Sequence, residues 1–340
     1  MSMPSIEEIV NYFNDLPQSD QQNLLDLLAR ELCKGTNPFE NAIEEKQNHK
    51  VTVCPHCGSL HVQKTGHVHG RQRYLCIDCS KSFGATTNTP MASLKKPGLF
   101  VQYIKLVFER KTLKQCEKEL GISHQTAFDW RHKILSGLVE RMPVIMKGVV
   151  ECDEMEFRES SKGRRSGLGR KPRKRGTDYK RNDGRHGSNA HQVITAVSRT
   201  GETIMVPVEG KKVTTKQIED SIGDKIEEGS TLITDKNSAY RRFAKDHGLN
   251  LKQVLASEHV DRRDRRIHIQ HVNAVHSKFR DFVRKHYGIS SKYLENYLNW
   301  FCYMKDYDPM SDKIGAWLQD LISSALPNEN YRRLKKQLVM

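Results

Sequence analysis

The sequence contains no run of about 18 consecutive apolar residues, the length a helix needs to span a bilayer, so no membrane-spanning helix is expected. The stretch from Met1 to Asp20 is acidic and polar, where a secretory leader would be basic and then apolar, which points to the cytosol. Cysteine is sparse, with eight in 340 residues, too few for a disulfide scaffold; four of them crowd into residues 54–79, and such clustering points to a metal. Acidic residues are in deficit. The 41 Asp and Glu face 56 Lys and Arg, and the net charge of +15 favours a polyanionic partner, because neutralised phosphates release condensed counterions. No internal repeat is visible, which argues against a solenoid.

What is present changes texture along the chain. Residues 1–50 form an N-terminal helical segment by periodicity, with apolar stretches Ile6–Phe13 and Gln21–Cys33 on either side of Pro17. Residues 51–84 carry the cysteines, residues 96–140 read as short helices, and from 148 to 305 β-branched runs alternate with helical stretches. That alternation predicts an α/β domain with a covered sheet. Its strands are expected at Val149–Cys152, Gln192–Val197, Thr203–Val208 and Ser230–Thr234. A basic loop interrupts it: residues 158–185 hold twelve Lys and Arg against three acidic residues, with glycines at 163, 167, 169, 176 and 184, and so cannot be buried. Such a loop is either solvated surface or a strip lying along DNA. Residues 306–340 read as a C-terminal helix and a basic tail.

Cys54-Pro55-His56-Cys57 and Cys76-Ile77-Asp78-Cys79 are two CxxC pairs eighteen residues apart. Two thiolates from each of two tight turns can surround one Zn²⁺ tetrahedrally. With all four positions filled by cysteine, no coordination position is left open, so the ion is structural, and it folds a segment too small to bury a core. The intervening His61–Lys64 and Arg71–Leu75 supply a hairpin, and the unit is a zinc ribbon. Lys64, Arg71, Arg73 and Lys81 give it a basic surface suited either to phosphates or to protein contact.

Thr112–Leu120, a turn at Gly121-Ile122, and Ser123–Leu135 read as a helix-turn-helix-like unit, closed by a preceding helix over Leu99–Arg110. Its second helix presents Gln125, Thr126, Arg131 and Lys133, a mixture suited to base edges and backbone. Helical triplets also occur as plain packing units.

Acids end two of the expected strands: Glu151-Cys152-Asp153-Glu154, and Thr231-Leu232-Ile233-Thr234-Asp235. Strand-end aspartates are common turn formers, but a sheet can also hold them together as ligands for hard divalent cations. Alternation puts Asp153 and Glu154 on opposite faces, which makes Glu154 the weaker candidate for a direct ligand. A further helix is expected from about His271, with Val272, Val275, Phe279 and Phe282 as its apolar stripe. Asn273, His276, Lys278, Arg280, Arg284 and Lys285 stand elsewhere on it and suit a bound phosphodiester.

Taken together, the two CxxC pairs, Cys152-Asp153-Glu154, Thr234-Asp235-Lys236-Asn237-Ser238-Ala239-Tyr240, His271-Val272-Asn273-Ala274-Val275-His276-Ser277 and the stretch Gly288–Phe301 resemble the DDE-superfamily insertion-sequence transposases that carry an N-terminal zinc ribbon. The resemblance runs from about residue 50 to 305. It implies a ribonuclease H-like mixed sheet flanked by helices and two catalytic Mg²⁺ or Mn²⁺ ions. It also implies binding to terminal inverted repeats in double-stranded DNA, metal-dependent strand cleavage, strand transfer into target DNA, and a homo-oligomer in the synaptic complex. The catalytic set it implies is Asp153, Asp235 and His276, where His276 departs from the usual acid; Asn273 or Glu258 is the fallback for the third position. Imidazole brings no charge and would favour Mn²⁺ over Mg²⁺. A DNA-binding regulator of the same ancestry that no longer cuts, and a non-catalytic assembly protein, are the alternative readings.

Overall fold

The structure is a computed structural model and describes residues 12–17, 20–21, 50–68, 70–88, 92, 94, 96–136, 145–160, 162–163, 190–210, 212–255 and 257–305. Nearly all of the N-terminal helical segment, most of the basic loop 158–185 and the C-terminal helix and tail at 306–340 lie outside the described residues. The chain divides into two compact units near Gln102 and Tyr103.

The first unit contains the ribbon. Strands β1 (Val62–Val68), β2 (Arg71–Cys76) and β3 (Ser82–Phe83) form an antiparallel sheet in that order. Gly66 and Gly70 near the β1–β2 turn have φ of 109° and 76°, a region that disfavours side chains with a Cβ. Its core consists of little more than Cys54, Tyr74, Cys76 and Phe83, with Tyr74 stacked on Phe83 at 5.7 Å. So small a core does not hold a fold by itself.

The second unit contains the large sheet. Helix α1 (Pro97–Phe108) runs across the boundary and is followed by α2 (Leu113–Leu120) and α3 (His124–Ser136). Thr112 caps α2 in a reciprocal box with Gln115, Gly121 ends it at φ 60°, and the Ser123 hydroxyl accepts from the Thr126 amide at 3.1 Å to start α3.

The sheet consists of β4 (Val149–Arg158), β5 (Ala190–Ser198), β6 (Thr203–Glu209), β7 (Thr231–Thr234) and β8 (Asn250–Gln253), in the order β6-β5-β4-β7-β8. The pairs β6/β5 and β5/β4 are antiparallel; β4/β7 and β7/β8 are parallel. Strand β8 is short and half exposed, and its alternation was too brief to be read from the sequence.

Helices cover both faces. Val150, Cys152, Ile194, Ala196 and Leu232 pack with Ile218 and Ile222 of α4 (Thr215–Ile222) and Tyr240 and Phe243 of α5 (Ala239–Asp246). On the opposite face α6 (Gln270–Lys285) lays Phe279 against Phe157 of β4, and Phe282 against Trp300 and Phe301 of α7 (Leu294–Met304). The apolar stripe of α6 is the one its 3.6-residue periodicity predicts: Val272, Val275, Phe279 and Phe282 are all buried.

The two helices after α1 belong to the same compact unit as the sheet, joined through α7. His132 of α3 stacks on Tyr293 at 3.9 Å, and the Arg110 guanidinium donates to the Met304 carbonyl.

Candidate functional site

The site lies where β7 ends. Strand β4 pairs with β7 only as far as Cys152 opposite Thr234. Beyond that point β4 continues alone on that side, and the chain leaving β7 turns across the gap with Asp235. The turn is held by its own polar groups. The Asn237 amide donates to Asp235 Oδ1 at 3.0 Å, and Gln253 Nε2 donates to the Asp235 carbonyl at 2.8 Å. Asn237 Oδ1 accepts from the Ala239 amide at 3.0 Å and so begins α5.

Carboxylate oxygens of Asp153, Glu154 and Asp235 all lie within 4.8 Å of one another. Alternation along β4 does place Asp153 on the face of α6 and Glu154 on the face of α5, as the sequence implies. The structure nevertheless brings Glu154 into the group, because past the end of β7 both side chains reach round an unpaired strand edge to Asp235. Asn237 Nδ2 holds Glu154 there, donating to Oε1 at 3.1 Å.

Burial, with Asp235 close by, pushes the Asp153 carboxyl up to about 6, and burial with Asp235 and Asp153 pushes Glu154 up to about 7. Three crowded, half-buried carboxyls, two of them pushed up in this way, could hold a divalent cation, which would remove the repulsion. The donor set is all oxygen, which suits Mg²⁺ or Mn²⁺.

His276 is placed differently from the carboxylates. It is buried on α6, its Nε2 has no hydrogen-bond partner, and burial followed by the nearby Arg280 pushes it down to about 4. It stands outside the group of mutually close ligand atoms. Arg280 acts on both sides, since its charge also lowers the Asp153 carboxyl. Of the fallback residues, Glu258 is engaged by Arg262, whose Nε donates to it at 2.8 Å, while Asn273 is half-buried on α6.

The other site residues read from the sequence fall into two groups. Gln125, Lys278, Arg280, Arg284 and Lys285 are exposed; Gln125 Nε2 donates to Asp129 at 2.8 Å and Arg284 pairs with Asp281 at 3.0 Å. Thr126 and Lys133 are half-buried. Arg131 is corrected: it is fully buried rather than presented to DNA, donates to the Lys111 carbonyl at 2.7 Å, and lies over the ring of Trp300. Helical periodicity put it on the margin of the outer face, and the docking of α7 against α3 covers that margin.

In the ribbon, all four thiols of Cys54, Cys57, Cys76 and Cys79 lie within 4.8 Å of one another, with Sγ–Sγ separations of 3.7 Å for Cys54–Cys79 and 3.6 Å for Cys57–Cys76. Tetrahedral zinc with Zn–S bonds of about 2.3 Å has sulfurs about 3.8 Å apart, so the cluster fits one zinc ion. Among the described residues no helix is long and apolar enough to cross a membrane.

A five-stranded mixed sheet with acids midway along its central strand and just past the end of the parallel neighbour defines the ribonuclease H-like class. Within that class, the chain matches the model of the ISXO2-like transposase domain over residues 145–306. It is 28% identical over 256 residues, 73% of this chain and 83% of the relative, to an uncharacterized protein in transposable element ISH50 of Halobacterium salinarum. More distant likenesses are to the pre-cleavage Mos1 transpososome, at 10% identity over 69% of this chain and 77% of that one with a TM-score of 0.31, and to the Mos1 strand transfer complex, at 12% identity over 70% and 77% with a TM-score of 0.30.

Proposed function

We propose that this chain binds the terminal inverted repeats of its insertion sequence and catalyses metal-dependent cleavage and joining of DNA strands. The observation that carries the proposal is the convergence of Asp153, Glu154 and Asp235 at the end of β7. These three residues would hold the catalytic cations, with His276 the further candidate ligand from α6. Divalent ions bound there supply charge stabilisation at the oxygens entering and leaving phosphorus.

The chain's own residues do the rest. The turn around Asp235 is fixed by Asn237 and Gln253 before DNA arrives, so the carboxylates need little rearrangement. Arg280, with Lys278 and Lys285 exposed on the same helix, offsets phosphate charge beside Asp153. Gln125, Thr126 and Lys133 of α3 are the candidates for reading the repeat, and Asn273 and Arg284 for backbone contact. The zinc ribbon adds a basic surface through Lys64 and Lys81. Two element ends held together call for a second copy of the chain, so a homo-oligomer is part of the proposal.

The test is incubation of purified protein with its own genomic flanking DNA and Mg²⁺ or Mn²⁺, scoring nicked and joined strands. Asp153→Asn and Asp235→Asn are expected to lower cleavage at least about 10³-fold while leaving end binding intact. Cleavage at the wild-type rate in either variant would overturn the assignment.

A further inference from the structure

A second cluster of chemistry-bearing side chains lies two residues before Asp153, on the same strand and face. Glu151 is completely buried, which for a carboxylate demands partners. Its Oε1 accepts from His271 Nδ1 at 2.7 Å and from Arg199 Nε and Nη2, each at 3.4 Å; Oε2 accepts from the backbone amides of His271 at 2.9 Å and Val272 at 3.4 Å. His268 closes the group, its Nδ1 3.2 Å from Glu151 Oε1 and its Nε2 3.3 Å from Arg199 Nη2.

This cluster answers a local deficiency. Helix α6 begins after Ile269, which offers no side-chain cap; the Gln270 amide donates to His268 Nδ1 at 3.4 Å, and the amides of His271 and Val272 turn to another strand. Glu151 supplies that cap from another strand and puts negative charge at the positive end of the helix dipole. Glu151, His268 and His271 would also serve as a carboxylate and two imidazoles for a metal. Arg199, however, already brings a cation against the same oxygen, and Glu151 has protein donors on both oxygens, so the geometry favours an anchor over an ion site.

The anchor bears on the proposed active site by its position. Glu151 and Asp153 share a face of β4, about 7 Å apart along the strand. Helix α6 meets β4 at Glu151 through His271 and at Phe157 through Phe279, with ring centroids 6.4 Å apart. These contacts bracket Asp153 on the strand and His276 on the helix.

We propose, resting on the transposase reading above, that Glu151 and His271 are positioning residues: their bond fixes the start of α6 on β4 and so sets where His276 and Arg280 stand against Asp153.

The experiment uses His271→Ala in the full chain, since that imidazole is about half exposed and its loss leaves the apolar core untouched. The expected result is a fall of about 10- to 100-fold in kcat for cleavage with KM for end DNA unchanged, a loss of the size that misplacement by about 1 Å produces. Faster hydrogen exchange at the His271 and Val272 amides accompanies it, read on protein without metal or DNA. His271→Asn, which restores a donor near the same place, recovers most of the rate. An unchanged rate and unchanged exchange in His271→Ala overturns the proposal. A rise in KM at constant kcat overturns it by making His271 a DNA contact. Binding of Mn²⁺ or Zn²⁺ beyond the ribbon's zinc, lost in both Glu151→Gln and His271→Ala, overturns it in favour of a metal site. Asp153→Asn is run in parallel: if it too cuts normally, the transposase reading has failed, whereas an inert Asp153→Asn beside a normal His271→Ala rejects the anchor alone.

Discussion

The guanidinium carbon of Arg131, on the second helix of the helix-turn-helix-like unit, lies 5.0 Å from the ring centroid of Trp300 on the last described helix. The contact is buried, and it joins the helical unit to the sheet's own helices within one compact body. A residue type associated with DNA contact is here part of the packing between α3 and α7.

Arg131→Ala should therefore lower stability rather than alter sequence preference. Removing the stem leaves a gap against Trp300 and an unpaired Lys111 carbonyl, together worth about 2–4 kcal/mol. Gln125→Ala, on the exposed face, should change stability by no more than about 0.5 kcal/mol and weaken end binding by about 1–3 kcal/mol. Thermal melts paired with binding to repeat and scrambled DNA check both; equal loss of binding by Arg131→Ala at a temperature where it is folded contradicts the packing role.

Glu154→Gln tests the third carboxylate. The amide keeps the shape and can still accept from Asn237, but it removes one negative charge from the cation site. Cleavage in Mg²⁺ should fall at least about 10²-fold, and His276→Gln should cost less. Rates across a Mg²⁺ and Mn²⁺ titration measure this, and the reverse ranking would return the third position to α6.

Zinc removal should unfold the ribbon and leave the sheet standing. Structural zinc contributes apparent binding energy on the order of 10–16 kcal/mol in comparable small sites, more than the few buried side chains of the ribbon can replace. One zinc per chain by elemental analysis, and loss of ribbon dispersion in NMR spectra of Cys76→Ser, are the expected results.

Acid should destabilise the second unit through histidines held neutral. Burial, then Arg131 and Lys292, pushes His132 down to about 3, and burial, then Arg131, Lys162 and Lys285, does the same to His286. Their pKa values are depressed on folding, so below about 6.5 the unfolded chain takes up protons that the folded chain refuses. The stability they allow is complete above pH 6.5 and is lost as pH falls toward 3. His132→Leu should melt lower at pH 7 because Asn296 loses its partner, yet show a shallower decline from pH 6.5 to 4. An equally steep decline would show that His132 does not carry the effect.

Local features of this protein are legible in its residues because local chemistry decides them. The CxxC pairs predict thiols meeting around zinc, Gly121 marks the positive φ between two helices, and β-branched runs mark four of the five strands of the large sheet. The apolar stripe of α6 follows from a 3.6-residue period, and Asp235 does follow a strand end, whereas Asp153, expected at one, stands midway along β4, which runs on to Arg158.

What the sequence by itself determined is thus the set of elements, the composition of the ribbon, and the two aspartates as candidates. Only the tertiary structure decided who joins them. Strict alternation set Glu154 apart, and the early end of β7 brings it back, because strand pairing is a relation between distant segments that no local period encodes. The burial of Arg131 depends in the same way on α7 docking against α3, and the cap of α6 comes from Glu151, 120 residues before the amide that it holds. Each of these outcomes rests on a long-range contact whose geometry appears only once the sheet is assembled.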